Sequence, residues 1–408
     1  MFPIRLRALL PALLCSLAAS AWASPATDLY RAATRTLQAN YYGWSEADRA
    51  GLVADYARRL EQDCVPRAES CPFDQGRAVL KELLEQMHDP HTNVRDAEGA
   101  ERLREVQQDL TVPRSGVRVK ETPAGLLVVG VQRFDLIHEV NGRPAGEGQA
   151  QDAAAFVRLE RAAAPIQVRL ERGGRALALT LTTLPLKARD LPTLTYQQGP
   201  SGTVAVILYP SFLPQGSAAR FLELLRQAQA AGARGLVVDL RYNGGGQLDE
   251  CVKAASIFEP VLYQARWEGG SWEYAALNGE ATLPLTAKLS RPTEGLWHGP
   301  SALLIGENTA SCAEVFGHFA RGAGALLVGE TTKGVMNSGV NFFPLPDHGV
   351  LSVTVLRAYD RFGAPLPSAL TPDLTVHQDA AALAGSGRDE VMAAALGQVG
   401  LRLAAAER

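Results

Sequence analysis

The feature that most constrains the fold is an alternation of short apolar strands with helical segments between residues 188 and about 380. Strands of this kind occupy 203–208, 235–240, 302–305, 325–328 and 351–356, and the helical segments occupy 218–231, 247–258 and 312–321. Such alternation predicts βαβ units and a largely parallel sheet, with functional residues at the carboxyl ends of its strands. We therefore expect an α/β core over residues 188–385.

Composition supports a folded chain and excludes one class of partner. The apolar fraction is 47% and the charged fraction is 20%, which is typical of a chain able to bury a core. The 40 Lys and Arg residues are outnumbered by 43 Asp and Glu residues, so the formal net charge is −3. Proteins that bind nucleic acids show clustered positive charge, so we expect no nucleic-acid partner.

The first 23 residues have the pattern of a signal peptide. Arg5 and Arg7 precede an apolar stretch over 8–19, and Ala21-Trp-Ala23 offers a small-residue cleavage pattern. The stretch is too short to span a bilayer comfortably, although a retained anchor is the alternative. We expect a mature chain from Ser24, exported to the periplasm or secreted, with no integral membrane span after signal removal.

The cysteines can be interpreted once export is assumed. Cys15 leaves with the signal, and Cys64 and Cys71 lie in a polar loop, where an oxidising compartment favours a local disulfide. Cys251 and Cys312 fall in segments that we expect to be helical and buried. The sequence has no Cys-x-x-Cys or His-rich spacing, so we predict no metal site.

Three further regions flank or precede the core. Residues 24–105 carry two amphipathic helical stripes, 52–60 and 79–87, and predict a helical region. Residues 106–187 change to strand periodicity, with a Gly-Gly hairpin turn at 172–175, and predict a small β-rich module. The Ala-rich tail over 386–408 predicts a terminal helix.

The first of two notable strand-to-helix turns is Gly244-Gly245-Gly246. Glycines at such a turn permit positive φ and leave backbone N–H groups free at a helix N-terminus, where they can hold an anion or a developing oxyanion. No Gly-Lys-Ser/Thr follows, so the turn is not a phosphate loop. The alternative is a tight turn that serves only packing.

The second turn places Ser311 between a strand and a helix. A serine there can expose its hydroxyl beside the next N–H, that of Cys312, an arrangement suited to a nucleophile with an oxyanion donor. The alternative is a helix cap, because Ser311 and Glu314 also have the spacing of a capping box.

Taken together, the motifs of the mature chain resemble those of the C-terminal processing, or tail-specific, serine peptidases, with features of the tricorn-like branch. The resemblance covers nearly the whole mature chain, and the order of the motifs is more specific than any one of them. The motifs are Asp89-Pro-His-Thr92, Phe134-Asp-Leu-Ile-His-Glu-Val-Asn-Gly142, Asp239-Leu-Arg-Tyr-Asn-Gly-Gly-Gly246, Thr309-Ala-Ser-Cys-Ala-Glu314, Val328-Gly-Glu-Thr-Thr332 and Thr371-Pro-Asp373.

The resemblance implies a crotonase-like βαβ core and a PDZ-like module over 106–187 that captures a peptide carboxyl terminus by strand addition. It implies Ser311 as the nucleophile and an oxyanion hole from the N–H groups of Cys312 and the Gly244–Gly245 turn. The expected protein is an exported serine endopeptidase that acts on polypeptides near their C-termini through an acyl-enzyme and needs no cofactor. The PDZ-like module is abbreviated at 131–135, so Asn141-Gly142 is alternatively a simple hairpin turn.

The general base stays open between two residues. In the lysine-dyad branch the base lies 25 positions after the serine, where this chain has Met336. An ungapped alignment from Gly329-Glu330 puts Val335 opposite that lysine instead, and Lys333 fits only if the loop is two residues shorter. A buried lysine with a lowered pKa can deprotonate a serine. His91 resembles the histidine of the tricorn-like branch, and a neutral imidazole is a natural base. Glu314 either orients a base or caps the helix.

Two other functions compete with a peptidase. The missing dyad lysine, and the absence of an acid over 366–372 where the tricorn-like branch has a glutamate, are compatible with an inactive peptide- or lipid-binding protein on the same scaffold. An acyl-CoA enzyme would share the crotonase-like core, but the signal peptide argues against a cytosolic cofactor.

Overall fold

The computed structural model describes residues 24–129, 134–199, 201–291 and 295–406. The expected signal peptide over residues 1–23, with Cys15, lies outside the described residues. The helices are α1 (Pro25–Asn40), α2 (Arg49–Cys64), α3 (Phe73–Gln86), α4 (Ala97–Gln107), α5 (Ala153–Arg161), α6 (Ser217–Ala230), α7 (Leu248–Ala255), α8 (Pro284–Leu289), α9 (Cys312–Gly322), α10 (Ala380–Ser386) and α11 (Glu390–Ala406).

The strands form four sheets. They are β1 (Asn93–Arg95), β2 (Thr111–Arg114), β3 (Val119–Thr122), β4 (Gly125–Val128), β5 (Leu136–Val140), β6 (Arg143–Pro144), β7 (Ile166–Arg172), β8 (Arg175–Leu181), β9 (Leu184–Lys187), β10 (Thr193–Gly199), β11 (Gly202–Leu208), β12 (Gly235–Asp239), β13 (Val261–Trp267), β14 (Gly270–Leu277), β15 (Glu280–Ala281), β16 (Ser301–Ile305), β17 (Leu326–Gly329), β18 (Ser338–Pro344), β19 (Val350–Tyr359) and β20 (Leu374–Thr375).

The core sheet has the strand order β10-β11-β12-β16-β17-β20. All neighbours from β11 to β20 pair in parallel, and only β10 is antiparallel to its neighbour. One face packs against α6, α7 and α9, and the other packs against α11. Burial on both faces explains why these strands are continuous apolar runs. The predicted mixed α/β fold is confirmed, and β12 and β16 deliver the two turns singled out above.

A second sheet joins the N-terminal region to the core. Its order is β1-β19-β13-β14-β15, with β18 paired to β19. The helices α1, α2 and α3 pack together against Leu351 and Val353 of β19 and against Leu345, which follows β18. The region 24–105 is mostly helical, and it also contributes β1, a strand that the sequence did not indicate.

The β-rich region over 106–187 contains the sheet β3-β4-β5-β7-β8, with β6 on β5, and α5. Gly173 and Gly174, in the turn between β7 and β8, have φ of +54° and +74°, as the predicted Gly-Gly hairpin requires. Arg118 just before β3 donates hydrogen bonds to the carbonyl oxygens of Pro210 (3.2 Å) and Tyr242 (2.8 Å). These bonds fasten the module to the core beside the three-glycine turn.

The structure contains the predicted disulfide between Cys64 and Cys71, with Cα atoms 5.4 Å apart. It closes the loop between α2 and α3. Among the described residues, no helix is both long and apolar enough to cross a bilayer.

Candidate active site

Ser311 stands at the sharp turn where β16 leads into α9. Its backbone has φ 54° and ψ −119°, a conformation that a side-chain-bearing residue adopts only under strain and that is often found at functional sites. Ser311 is half-buried and lines a cavity of about 700 Å³, called here the Ser311 cavity. Ser311 and Glu314 also form the capping box, in which Glu314 Oε2 accepts the N–H of Ser311 (2.7 Å).

The three-glycine turn faces this serine. A Cβ atom at Gly245 would lie 2.8 Å from Ser311 Cβ and 3.0 Å from the backbone nitrogen of Cys312, and Gly245 has φ +94°. Glycine is therefore required by both the close approach and the backbone angle. The turn begins after β12 and ends at α7, so its backbone and that of α9 meet across the Ser311 cavity.

Among the described residues, two of the three backbone N–H groups expected in the oxyanion hole are free to donate to a ligand. The N–H of Gly245 already donates to Asn243 Oδ1 (2.9 Å). Within the described chain, the N–H groups of Gly244 and Cys312 have no hydrogen-bond acceptor, and the latter lies at the N-terminus of α9. Free amides at a helix N-terminus favour negative charge. Gly245 thus contributes the close approach, and Gly244 and Cys312 remain as the donors.

A second disulfide, not predicted from the sequence, lies beside these donors. Cys251 of α7 and Cys312 of α9 are bonded, with Cα atoms 5.5 Å apart. Both residues are buried in helices, as expected. The even number of cysteines left after removal of Cys15 was the signal that could have suggested this pair. The bond joins the start of α9, which carries the Cys312 amide, to α7, which follows the three-glycine turn with the Gly244 amide.

His91 also lines the Ser311 cavity. The residue is only 8% exposed, and its Nδ1 lies 2.9 Å from Ser338 Oγ. Burial lowers the pKa of His91 to about 4, although the Asp89 carboxylate raises it in part. The imidazole is therefore neutral at pH 7 and able to accept a proton. The sequence did not indicate Ser338, which reaches His91 from β18.

Lys333 borders the same cavity with an exposed side chain. The position that the lysine-dyad pattern assigns to the base is occupied by Met336 or Val335, and both are buried apolar side chains. Lys333 is therefore exposed to solvent, and apolar side chains fill the buried position of the dyad lysine. Its backbone N–H donates to the carbonyl oxygen of Thr309 (3.0 Å), which fixes the loop beside the nucleophile.

Glu314 holds that loop against α9. Its buried carboxylate accepts hydrogen bonds from the N–H groups of Gly334 (2.8 Å) and Val335 (3.1 Å), and from the hydroxyl of Thr332. Burial raises the pKa of Glu314, while these hydrogen bonds lower it in part. Glu314 acts here as both a helix cap and a clasp for the loop over 332–335.

Comparisons with known proteins agree with the resemblance seen in the motifs. Residues 203–376 match peptidase family S41. The carboxy-terminal processing protease CtpA of Bacillus subtilis is 24% identical over 276 residues, which cover 63% of this chain and 54% of the relative. The carboxy-terminal-processing protease of Bartonella bacilliformis is 24% identical over 310 residues, covering 71% of this chain and 67% of that protein.

The solved structures extend the similarity to the fold. The photosystem II D1 C-terminal processing protease superposes with a TM-score of 0.52 at 19% identity, covering 87% of this chain and 94% of that one. This chain spans about half the length of the Bacillus subtilis relative.

Proposed function

We propose that this chain, a relative of the C-terminal processing serine peptidases, is itself a serine peptidase that hydrolyses polypeptides near their C-termini. The observation that carries the proposal is the close approach of the Gly245 backbone to Ser311. It brings the unbonded N–H groups of Gly244 and Cys312 to the same cavity as the hydroxyl. Two such donors can stabilise the oxyanion that forms when a hydroxyl attacks a peptide carbonyl.

The reaction proceeds through an acyl-enzyme at Ser311. His91 is the better candidate for the base, because it is neutral and buried, whereas Lys333 is exposed. In this scheme His91 Nδ1–H donates to Ser338 Oγ, and Nε2 accepts the Ser311 proton. The proton then passes to the leaving amine, and water hydrolyses the ester by the same route.

The wider setting belongs to the same proposal. We infer that the sheet β10-β11-β12-β16-β17-β20 with its helices is a crotonase-like core and that residues 106–187 are a PDZ-like module. Two disulfides support export directed by a signal peptide at residues 1–23, since such bonds persist in oxidising compartments. The substrate is a polypeptide, and no step requires a metal or an organic cofactor.

Labelling with a fluorophosphonate and turnover of an unfolded protein such as casein test the proposal. We expect the mature protein to do both, and Ser311→Ala to do neither. Loss of both turnover and labelling in a folded His91→Gln protein would assign the histidine to activation of the Ser311 hydroxyl. A wild type that neither reacts with the probe nor cuts casein would refute the peptidase.

A catalytically inactive peptide- or lipid-binding protein is the second candidate. It is favoured by the buried apolar residues Val335 and Met336 at the place of the dyad lysine. The same labelling experiment separates the two, because a binding protein would retain its ligand after purification and leave the probe unreacted.

A further inference from the structure

The Ser311 cavity has an uneven charge. Among the described residues that line it, Arg95, Arg118 and Lys333 are cationic and none is an aspartate or a glutamate. A cleft lined by charge of one sign concentrates ligands of the opposite sign. The cavity is therefore suited to a peptide that carries a carboxylate.

Arg95 is a cation of this cavity whose own contacts are with neutral groups. Its Nη1 donates to Ser352 Oγ (3.1 Å), and its Cζ lies 5.7 Å from the centre of the Phe342 ring. The side chain is half-buried, and within the described ranges no carboxylate forms an ion pair with it. Its neighbour Arg102, by contrast, is paired with Glu98 (3.0 Å).

This environment favours binding of an anion. Burial lowers the pKa of Arg95, and the nearby charge of Arg102 acts in the same direction. A guanidinium has five N–H donors in a planar fork that matches a carboxylate, and such charge-assisted pairs are among the stronger hydrogen bonds. A substrate carboxylate would supply the partner that the fold does not.

Strand register gives the position of Arg95 relative to the proposed chemistry. Ser352 of β19 pairs with Asn93 of β1 on one side and with Phe342 of β18 on the other. Ser338, the partner of His91, lies four positions before Phe342 on the same strand. At about 3.3 Å per residue, Ser338 and Phe342 are about 13 Å apart along the strand. An extended peptide covers that distance with about four residues.

We propose that Arg95 is a carboxylate-binding subsite of the Ser311 cavity, about four residues from the point of cleavage. The proposal rests on the peptidase function for its catalytic meaning. The carboxylate is either the terminus of the substrate chain or an acidic side chain near it. Leu248, Val315 and Leu356 line the same cavity, so the residues between are expected to be apolar.

Binding of three octapeptides to the Ser311→Ala protein tests this subsite without cleavage. The peptides carry an N-terminal dye, are rich in alanine and leucine, and differ only at the end. One has a free carboxylate, one a carboxamide, and one a carboxamide preceded by glutamate. We expect the free acid to bind roughly tenfold to a hundredfold more tightly than the plain amide, as for a lost charged hydrogen-bonded pair.

Two variants in the same background identify the residue. Arg95→Gln should bind the acid and the amide alike, whereas Arg102→Gln, which removes the neighbouring paired charge, should keep the preference. Binding of the glutamate amide as tight as that of the acid supports the subsite and assigns it to acidic side chains. Binding by no peptide, equal binding of all three, or a preference that survives in Arg95→Gln would overturn the proposal.

Cleavage of the same peptides by the wild-type protein is a second test, which needs no variant. Mass spectrometry of its products should show C-terminal fragments of three to five residues from the acid peptide and slow, scattered cleavage of the plain amide. Identical products from both would count against the subsite while leaving the peptidase intact. Conversely, a protein inert to fluorophosphonate that still discriminates the peptides would lose the peptidase but keep the subsite.

Discussion

The two disulfides provide a matched pair for one quantitative prediction. Cys251–Cys312 spans 61 positions of sequence, and Cys64–Cys71 spans seven. In the chain-entropy description, these loops correspond to about 4 and about 2 kcal/mol of stabilisation, respectively. The double variant Cys251→Ala/Cys312→Ala should therefore lose roughly twice the unfolding free energy lost by Cys64→Ala/Cys71→Ala.

The two variants should also differ in activity. Cys251–Cys312 holds the first turns of α7 and α9 together; Cys312 is the first residue of α9, and Gly244 lies in the turn that leads into α7. Loss of one well-placed oxyanion donor lowers kcat on the order of 10²–10³-fold. That factor is the upper bound for the loss of kcat in Cys251→Ala/Cys312→Ala, where the two amides are held less firmly together. Removal of Cys64–Cys71, which lies between α2 and α3, should leave kcat unchanged.

Unfolding in urea, followed by tryptophan fluorescence, measures the first effect, and casein turnover at a concentration well above KM measures the second. Chemical reduction followed by reoxidation should lower and then restore kcat in the wild type. Two observations would refute the reasoning. One is equal destabilisation by both double variants; the other is full kcat in Cys251→Ala/Cys312→Ala.

Three other predictions concern single residues of the site. Gly245→Ala should cost about 1–3 kcal/mol of backbone strain and abolish most activity, because the new Cβ would lie against Ser311. Gly232→Ala, at φ +76° with open space around it, is the control for strain alone. Equal activities of the two variants would contradict the close approach of Gly245 to Ser311. The pKa of His91 is depressed from 6.5 to about 4, with Asp89 and Arg95 as the charges nearby, so protonation of His91 opposes folding. The free energy of unfolding should therefore fall by about 3 kcal/mol as pH decreases from about 6.5 to about 4. Urea midpoints of His91→Gln that keep the pH dependence of the wild type would contradict this. Glu314→Gln should release the loop over 332–335 and lower thermal stability by about 1–3 kcal/mol, measured by calorimetry, because a buried charged acceptor of several hydrogen bonds is lost.

The sequence predicted the core well for a physical reason. Strands β11, β12, β16 and β17 are buried on both faces, so their sequences are uninterrupted apolar runs. The helices between them carry clear stripes of apolar residues. The hairpin of β13 and β14 was missed because polar residues such as Gln264, Arg266 and Glu273 break its pattern. Strand β1, with three residues, is too short to show any period.

The site was predictable only where its parts are local. Ser311 and the three-glycine turn each follow a strand and precede a helix, so their surroundings can be inferred from neighbours in sequence. The contact of His91 with Ser338 joins residues 247 positions apart, and no periodicity encodes such a pairing. The missing carboxylate partner of Arg95 is likewise a property of packing, since its neighbour Asp96 in sequence caps α4 instead.

The entry of β1 beside β19 makes the order of synthesis matter. The ribosome completes the histidine-bearing segment long before the strands that receive it, and this long-range pairing forms late and slowly. Until these strands pair, His91 and Ser338 are apart and the proposed catalytic arrangement is incomplete. Docking of the first helices onto the sheet that holds β18 and β19 would then complete the Ser311 cavity.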